Sequence, residues 1–179
     1  MTLHEANLPG AYVLEPELIE DERGFFARIF SADELAERGL EPAVTECSIA
    51  FNRVRWTLRG LHYQTPPHEE TKIVRCTRGA VYDVIVDLRA DSPAYGNWDA
   101  VELTAENRLA LYIPAGCAHG YLTLEDEAEL LYLISPGHMP EAAGGIRWND
   151  PLLGIEWPAL PRVISARDEA FPDLQAPGS

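Results

Sequence analysis

The stretch TLRGLHYQTPPHEETKIVRCTRGAVYDVIVDL, residues 57–88, decides the fold. Its first eight residues, TLRGLHYQ, read as a strand, and AVYDVIVDL at 80–88 reads as another. The turn-forming runs TPPHEE and TRGA lie between them. The same rhythm continues along the chain. LALYIP (109–114), HGYLTL (119–124) and AELLYLI (128–134) are predicted strands. DERG, DSPAYGN, IPAG and SPGHMP supply further turns. Many short strands spaced about 8–12 residues apart predict a sandwich or barrel. One helix is predicted at SADELAERG, where Ser31 and Glu34 make a capping box and Gly39 ends the segment. The Pro-rich tail from about residue 158 has no strong period and is expected to wrap the barrel. The expectation is one mostly β domain over 1–179, a jelly-roll with one or two short helices.

Composition bounds the function. With 179 residues, 46% hydrophobic and 24% charged, the chain fits one ordinary globular domain. No apolar run approaches the roughly 18–20 residues of a membrane span. MTLHEANLPG at the start has neither the basic nor the apolar region of a secretory signal. The net charge is −15, from 14 basic and 29 acidic residues. A surface of that sign repels nucleic acid, although a small basic pocket for one phosphorylated ligand is compatible with it. Cys47, Cys76 and Cys117 form no CxxC, so neither a disulfide framework nor a zinc cage is expected. A reduced, cytoplasmic setting fits.

His4 and His68 read as surface groups, whereas His62 and His119 lie in or beside predicted strands. In IPAGCAHG the pattern Pro-x-Gly-x-x-His resembles the second motif of the cupin superfamily. GLHYQ would then be the first motif, but it carries one histidine where metal-binding cupins often have two. A metal site built on His62, His119 and a glutamate would be short of the usual donors. An acid–base site needs less: a histidine and an orienting carboxylate. Asp83, Asp87 and Asp168 qualify by residue type. Asp83 and Asp87 interrupt an apolar strand, so each needs a polar partner if buried. In a regular strand Arg59 and His62 point to opposite faces. Gly60 between them permits a bulge that brings both to one pocket. Arg23, Lys72 and Arg75 are further sources of positive charge.

DERGFFARIF, TLRGLHYQTPPHEETKIVRCTRGAVYDVIVDLR, SPAYGNW, ELTAENRLALYIPAGCAHGYLTL, EAELLYLI and GGIRWNDPLLGIEWP together resemble the dTDP-4-dehydrorhamnose 3,5-epimerase family. The resemblance runs from about residue 8 to 173. It implies a cupin-type jelly-roll barrel, a homodimer, a nucleotide-diphosphate sugar as substrate, and no metal or other cofactor. It places the catalytic base on His62, its orienting carboxylate on Asp168 and the proton donor on Tyr132. Lys72 matches a residue near the keto oxygen. Arg23, Arg59 and His119 match phosphate and sugar contacts, and Phe26 matches an aromatic position near the nucleotide. Arg167, beside Asp168, joins the substrate-binding set. The implied reaction removes a weakly acidic C–H beside a ketone, which calls for a placed base and stabilisation of the enolate.

Departures from the family pattern cluster on nucleotide recognition. Glu46 and Ser48 stand where relatives carry Gln and Asn, and Gly137-His138 replaces an aromatic pair. Leu133 replaces a lysine after the tyrosine, and Arg28 replaces an acidic residue. Glu46, Ser48 and His138 therefore count as candidate nucleotide contacts of altered character. Two other readings compete: a non-catalytic sugar-nucleotide-binding cupin, and a keto-isomerase or metal-dependent cupin enzyme.

Overall fold

A computed structural model describes residues 1–175. Thirteen strands and two short helices follow one another among these residues. The strands are β1 (Thr2–Glu5), β2 (Tyr12–Glu15), β3 (Leu18–Asp21), β4 (Gly24–Ala27), β5 (Glu46–Asn52), β6 (Leu58–Gln64) and β7 (Thr71–Arg78). They continue as β8 (Ala80–Asp87), β9 (Trp98–Thr104), β10 (Ala110–Ile113), β11 (Cys117–Thr123), β12 (Ala128–Ser135) and β13 (Ala143–Gly145). The helices are α1 (Ala32–Ala36) and α2 (Ala166–Glu169). The strands expected at 57–64, 80–88, 109–114, 119–124 and 128–134 are present to within a few residues. In α1 the Ser31 hydroxyl accepts from the Glu34 amide at 3.4 Å, as the capping pattern predicts.

Two antiparallel sheets face each other. One has six strands in the order β1-β2-β10-β7-β12-β5, the other five in the order β13-β6-β11-β8-β9. β3 and β4 form a separate hairpin. This is the jelly-roll that the turn spacing and the resemblance led us to expect.

The inner faces supply the main core. Val74, Cys76, Leu111 and Leu130 of the six-stranded sheet pack with Val81, Ile85, Leu103 and Tyr121 of the other. The two outer faces are covered differently. Segment 146–157 lays Ile146, Leu153 and Trp157 on the five-stranded sheet, over Leu61, Val84 and Val86. Leu35 of α1 packs on Leu14, Ile73 and Tyr112 of the six-stranded sheet. Truncating a buried leucine such as Leu130 to Ala would cost about 2–5 kcal/mol. The β5 end of that outer face is bare: Ile49 and Phe51 are exposed, as are Ile19, Phe25 and Phe26 on the β3–β4 hairpin.

The interior changes character along the barrel. On β7 the inward residues run Cys76, Val74, Lys72, and on β12 they run Leu130, Tyr132, Ile134. The apolar ends fill the core. Lys72, Tyr132 and Ile134 instead line an open cavity. The tail crosses the five-stranded side. Val163 bridges to Thr57, and Arg147 donates its amide to the Pro172 carbonyl at 2.9 Å.

Candidate active site

The cavity measures about 370 Å³ and lies between the two sheets, within the range of small-molecule sites. Its floor is set by a bulge. His119 of β11 pairs with His62 of β6, and Tyr121 pairs with Arg59, so two residues of β6 oppose Gly120 alone. This is the bulge expected at Gly60, and it turns Arg59 and His62 into the same cavity. The backbones meet at two glycines. A Cβ on Gly60, whose φ is +131°, would lie 2.5 Å from the Gly120 Cα. A Cβ on Gly120 would lie 2.8 Å from the Arg59 carbonyl oxygen. Only glycine fits either position.

Asp168 stands behind His62. The His62 Nε2 is 2.9 Å from Asp168 Oδ1, and the Gly60 amide donates to Asp168 Oδ2 at 3.1 Å. An ionised carboxylate only accepts, so the proton of this hydrogen bond sits on His62 Nε2. α2 makes this contact possible. Ser165 caps the helix by accepting from the Asp168 amide at 3.0 Å. Burial opposes ionisation of Asp168, but the His62 hydrogen bond and charge, the Gly60 amide and Ser165 together hold its pKa below the ordinary value. Phe171 packs edge-on against the His62 ring, with centroids 5.7 Å apart.

The three carboxylates that residue type alone left open thus separate. Asp168 serves His62. Asp83, fully buried, faces His119 Nε2 with both oxygens, at 2.9 and 3.0 Å. Asp87 accepts from Arg89 and Ser92 away from the cavity. No group of three or more His, Cys, Asp or Glu side chains is placed to hold a metal ion among the described residues.

Tyr132 enters from the opposite sheet. Its ring meets His119 edge-on at 6.0 Å. Loss of solvent around the hydroxyl pushes it well above the ordinary tyrosine pKa, and Tyr121 and Asp83 add to the effect. Tyr132 is therefore protonated at neutral pH. Lys72 is buried and pairs with Glu70, also buried, at 2.6 Å. Glu46, Ser48, His138 and Arg167 complete the walls. The Glu46 carboxylate accepts from the His138 amide at 3.0 Å, so two of the departures from the family pattern touch each other.

Nine of the twelve candidate residues line this one cavity, and Asp168 backs it through His62. Arg23 and Phe26 do not join them within a single chain. Both lie on the β3–β4 hairpin, where Phe26 is 69% exposed and Arg23 pairs with Asp21. Sequence reasoning missed Glu70, Asn52 and Tyr121. Glu70 carried a usable signal: it precedes Lys72 by two positions, the same-face spacing of extended chain. The thiols of Cys76 and Cys117 are pushed up by burial, to about 11 and about 12, so both are inert fillers.

Comparison with known proteins agrees with this architecture. The family model for dTDP-4-dehydrorhamnose 3,5-epimerase matches residues 5–176. The dTDP-4-dehydrorhamnose 3,5-epimerase of Salmonella typhimurium is 41% identical, over 97% of this chain and 96% of that protein. The crystal structure of the Bacillus anthracis enzyme of the same name, with TDP and PPi bound, superposes with a TM-score of 0.93 at 35% identity, covering 97% of this chain and 99% of that one. A 3'-monoepimerase from Streptomyces bikiniensis in complex with dTDP-quinovose gives 0.88 at 36% identity, covering 95% of this chain and 86% of that one. With a family model matched over nearly its whole length and relatives well above 30% identity, the chain belongs to the dTDP-4-dehydrorhamnose 3,5-epimerase family of sugar-nucleotide isomerases.

Proposed function

We propose that the protein epimerises a nucleotide-linked 4-keto-6-deoxy sugar at C3, at C5 or at both, by proton abstraction and return through an enolate. One observation carries the reading: a histidine on one sheet, backed by an aspartate from α2, faces a protonated tyrosine on the other sheet across a single cavity. His62 takes the proton from one face of the sugar while Asp168 stabilises the imidazolium. Tyr132 returns a proton from the other face, which inverts the carbon. Lys72 and His119 stabilise negative charge on the keto oxygen as it develops. Arg59 and Arg167 hold the diphosphate, and that remote binding energy positions the sugar. Glu46, Ser48 and His138 bound the nucleotide end. The proton leaves and returns with no net redox change, so this scheme calls on no metal or other cofactor. The same base serves one carbon or two.

The working unit in this reading is a homodimer. The β3–β4 hairpin presents Ile19, Phe25 and Phe26 to solvent, and β5 presents Ile49 and Phe51. A second copy covering these side chains would explain their exposure. It would also bring Arg23 and Phe26 to a nucleotide they do not reach within one chain. We place the protein in the cytoplasm, a setting supported by three unpaired cysteines. No helix among the described residues is long and apolar enough to cross a membrane.

NMR of dTDP-4-keto-6-deoxyglucose with the protein in deuterium oxide tests the chemistry. Deuterium at C3 and C5 is expected for a 3,5-epimerase and at one carbon for a mono-epimerase. No incorporation into this or the CDP- and GDP-linked sugars would reject the reading in favour of a binding module.

A further inference from the structure

Asn52 is the last residue of β5 and is 2% exposed. Its carboxamide is fully used. The oxygen accepts from Arg59 Nε at 2.9 Å and from the Tyr121 hydroxyl at 3.3 Å. The nitrogen donates to the Ala128 carbonyl at 3.2 Å, and it lies at the same distance from the Tyr121 hydroxyl oxygen. Tyr121, 1% exposed, reaches in turn towards the Tyr132 hydroxyl. One buried amide therefore joins two cavity walls: β6 through Arg59 and β12 through Ala128 and, by way of Tyr121, Tyr132.

The neutrality of this amide matters. Most cations that this acidic chain fixes firmly are held by carboxylates: Lys72 by Glu70, Arg89 by Asp87, Arg147 by Asp173. Such a cation offers little net charge to a diphosphate, although its remaining N–H groups can still donate a hydrogen bond to a single oxygen, as Lys72 does in the epimerase reading. Arg59 is held instead by the Asn52 amide and by the Phe51 carbonyl at 3.4 Å. Its side chain lines the cavity, and among the described residues no carboxylate pairs with it.

We propose that Asn52 is a positioning residue that aims the Arg59 guanidinium at the substrate diphosphate without neutralising it. The same oxygen fixes Tyr121 behind Tyr132, so the anion-binding charge and the proton donor share one anchor. This inference rests on the epimerase reading for the role of Tyr132, whereas the Arg59 half needs only a diphosphate ligand.

A double-mutant cycle on dTDP binding tests it, using calorimetry on wild type, Asn52→Asp, Arg59→Met and the double variant. Asn52→Asp changes one group and places a carboxylate against the guanidinium. It should weaken dTDP about tenfold or more. The double variant should bind like Arg59→Met alone, because Asn52 acts through Arg59. In turnover, Asn52→Asp should raise KM by the same factor and lower kcat by less. Losses that multiply independently would overturn the proposal, as would unchanged dTDP affinity in Asn52→Asp with its circular dichroism intact. If Asn52→Asp does not fold, Asn52→Ala enters the same cycle with the same non-additivity expected. Wild-type protein that binds dTDP but exchanges no deuterium would remove the epimerase reading and leave the Arg59 anchor to be judged by the cycle. Wild-type protein that binds none of dTDP, CDP and GDP would overturn both.

Discussion

Two histidine–aspartate pairs sit side by side on the floor of the cavity, and they are built to opposite ends. His62 and His119 are direct cross-strand neighbours. The His62 side chain is 39% exposed, and a carboxylate 106 residues away backs it through one oxygen. The His119 side chain is 5% exposed, and Asp83 of the adjoining strand grips it with both oxygens. An imidazole that must take a proton from a ligand needs an open nitrogen and a partner that waits behind it. An imidazole that must only offer a fixed dipole or charge can be sealed in. The contrast teaches that residue type and carboxylate distance, nearly the same in both pairs, do not select the base. Accessibility does.

The comparison breaks most sharply at the base itself. His62→Asn should reduce deuterium uptake into the keto sugar by about 10²–10⁴-fold with the fold intact. Uptake near the wild-type rate would show that the open pair is not the base. Next come the two carboxylates. Asp168→Asn should lower kcat by about 10²–10³-fold through loss of the imidazolium partner and the correct tautomer, with a modest change in melting temperature. Asp83→Asn should do the reverse. It leaves a buried histidine badly matched and should cost about 1–3 kcal/mol of stability, read by urea unfolding, with a smaller fall in kcat than Asp168→Asn. If both variants lose activity equally, the division of labour between the pairs is wrong. Tyr132→Phe should slow inversion by about 10²-fold while exchange at the carbon attacked by His62 continues, because abstraction and return use different groups.

The smallest effect is on stability in acid. Asp168 ionises more readily in the folded protein than in an unfolded chain. Its contribution is therefore complete above the ordinary carboxylate pKa of about 4 and is lost as pH falls through the lower folded value. Urea unfolding between pH 6 and pH 3 should show a steeper loss for wild type than for Asp168→Asn, and parallel curves would contradict the depressed pKa.

Much of the scaffold was legible because it rests on local chemistry. Short runs rich in Val, Ile, Tyr and Leu between turn residues mark β8, β10, β11 and β12, and Ser31 with Glu34 marks α1. The glycine at position 60 even betrayed the bulge. The His62 partner was not legible from spacing, because Asp168 arrives on a one-turn helix in a tail with no periodicity. Only the family resemblance singled it out. Asp83 was visible as a buried acid in want of a partner, but pairing it with His119 requires the β8–β11 register. Arg23 and Phe26 show the opposite limit. Their motif matches the family well, yet their place on an outlying hairpin means that one chain alone does not carry them to the cavity.

The interlocked glycines at 60 and 120 have a consequence for anyone reshaping this protein. They remove the side-chain vocabulary from the centre of the floor, so evolution and protein engineering alike are left with the rim. Libraries aimed at new sugars or nucleotides gain nothing from randomising the crossing itself. The inward face of β5 and the loop around Gly137 and His138 are where variation can be absorbed, and the differences from relatives at Glu46, Ser48 and His138 already fall there.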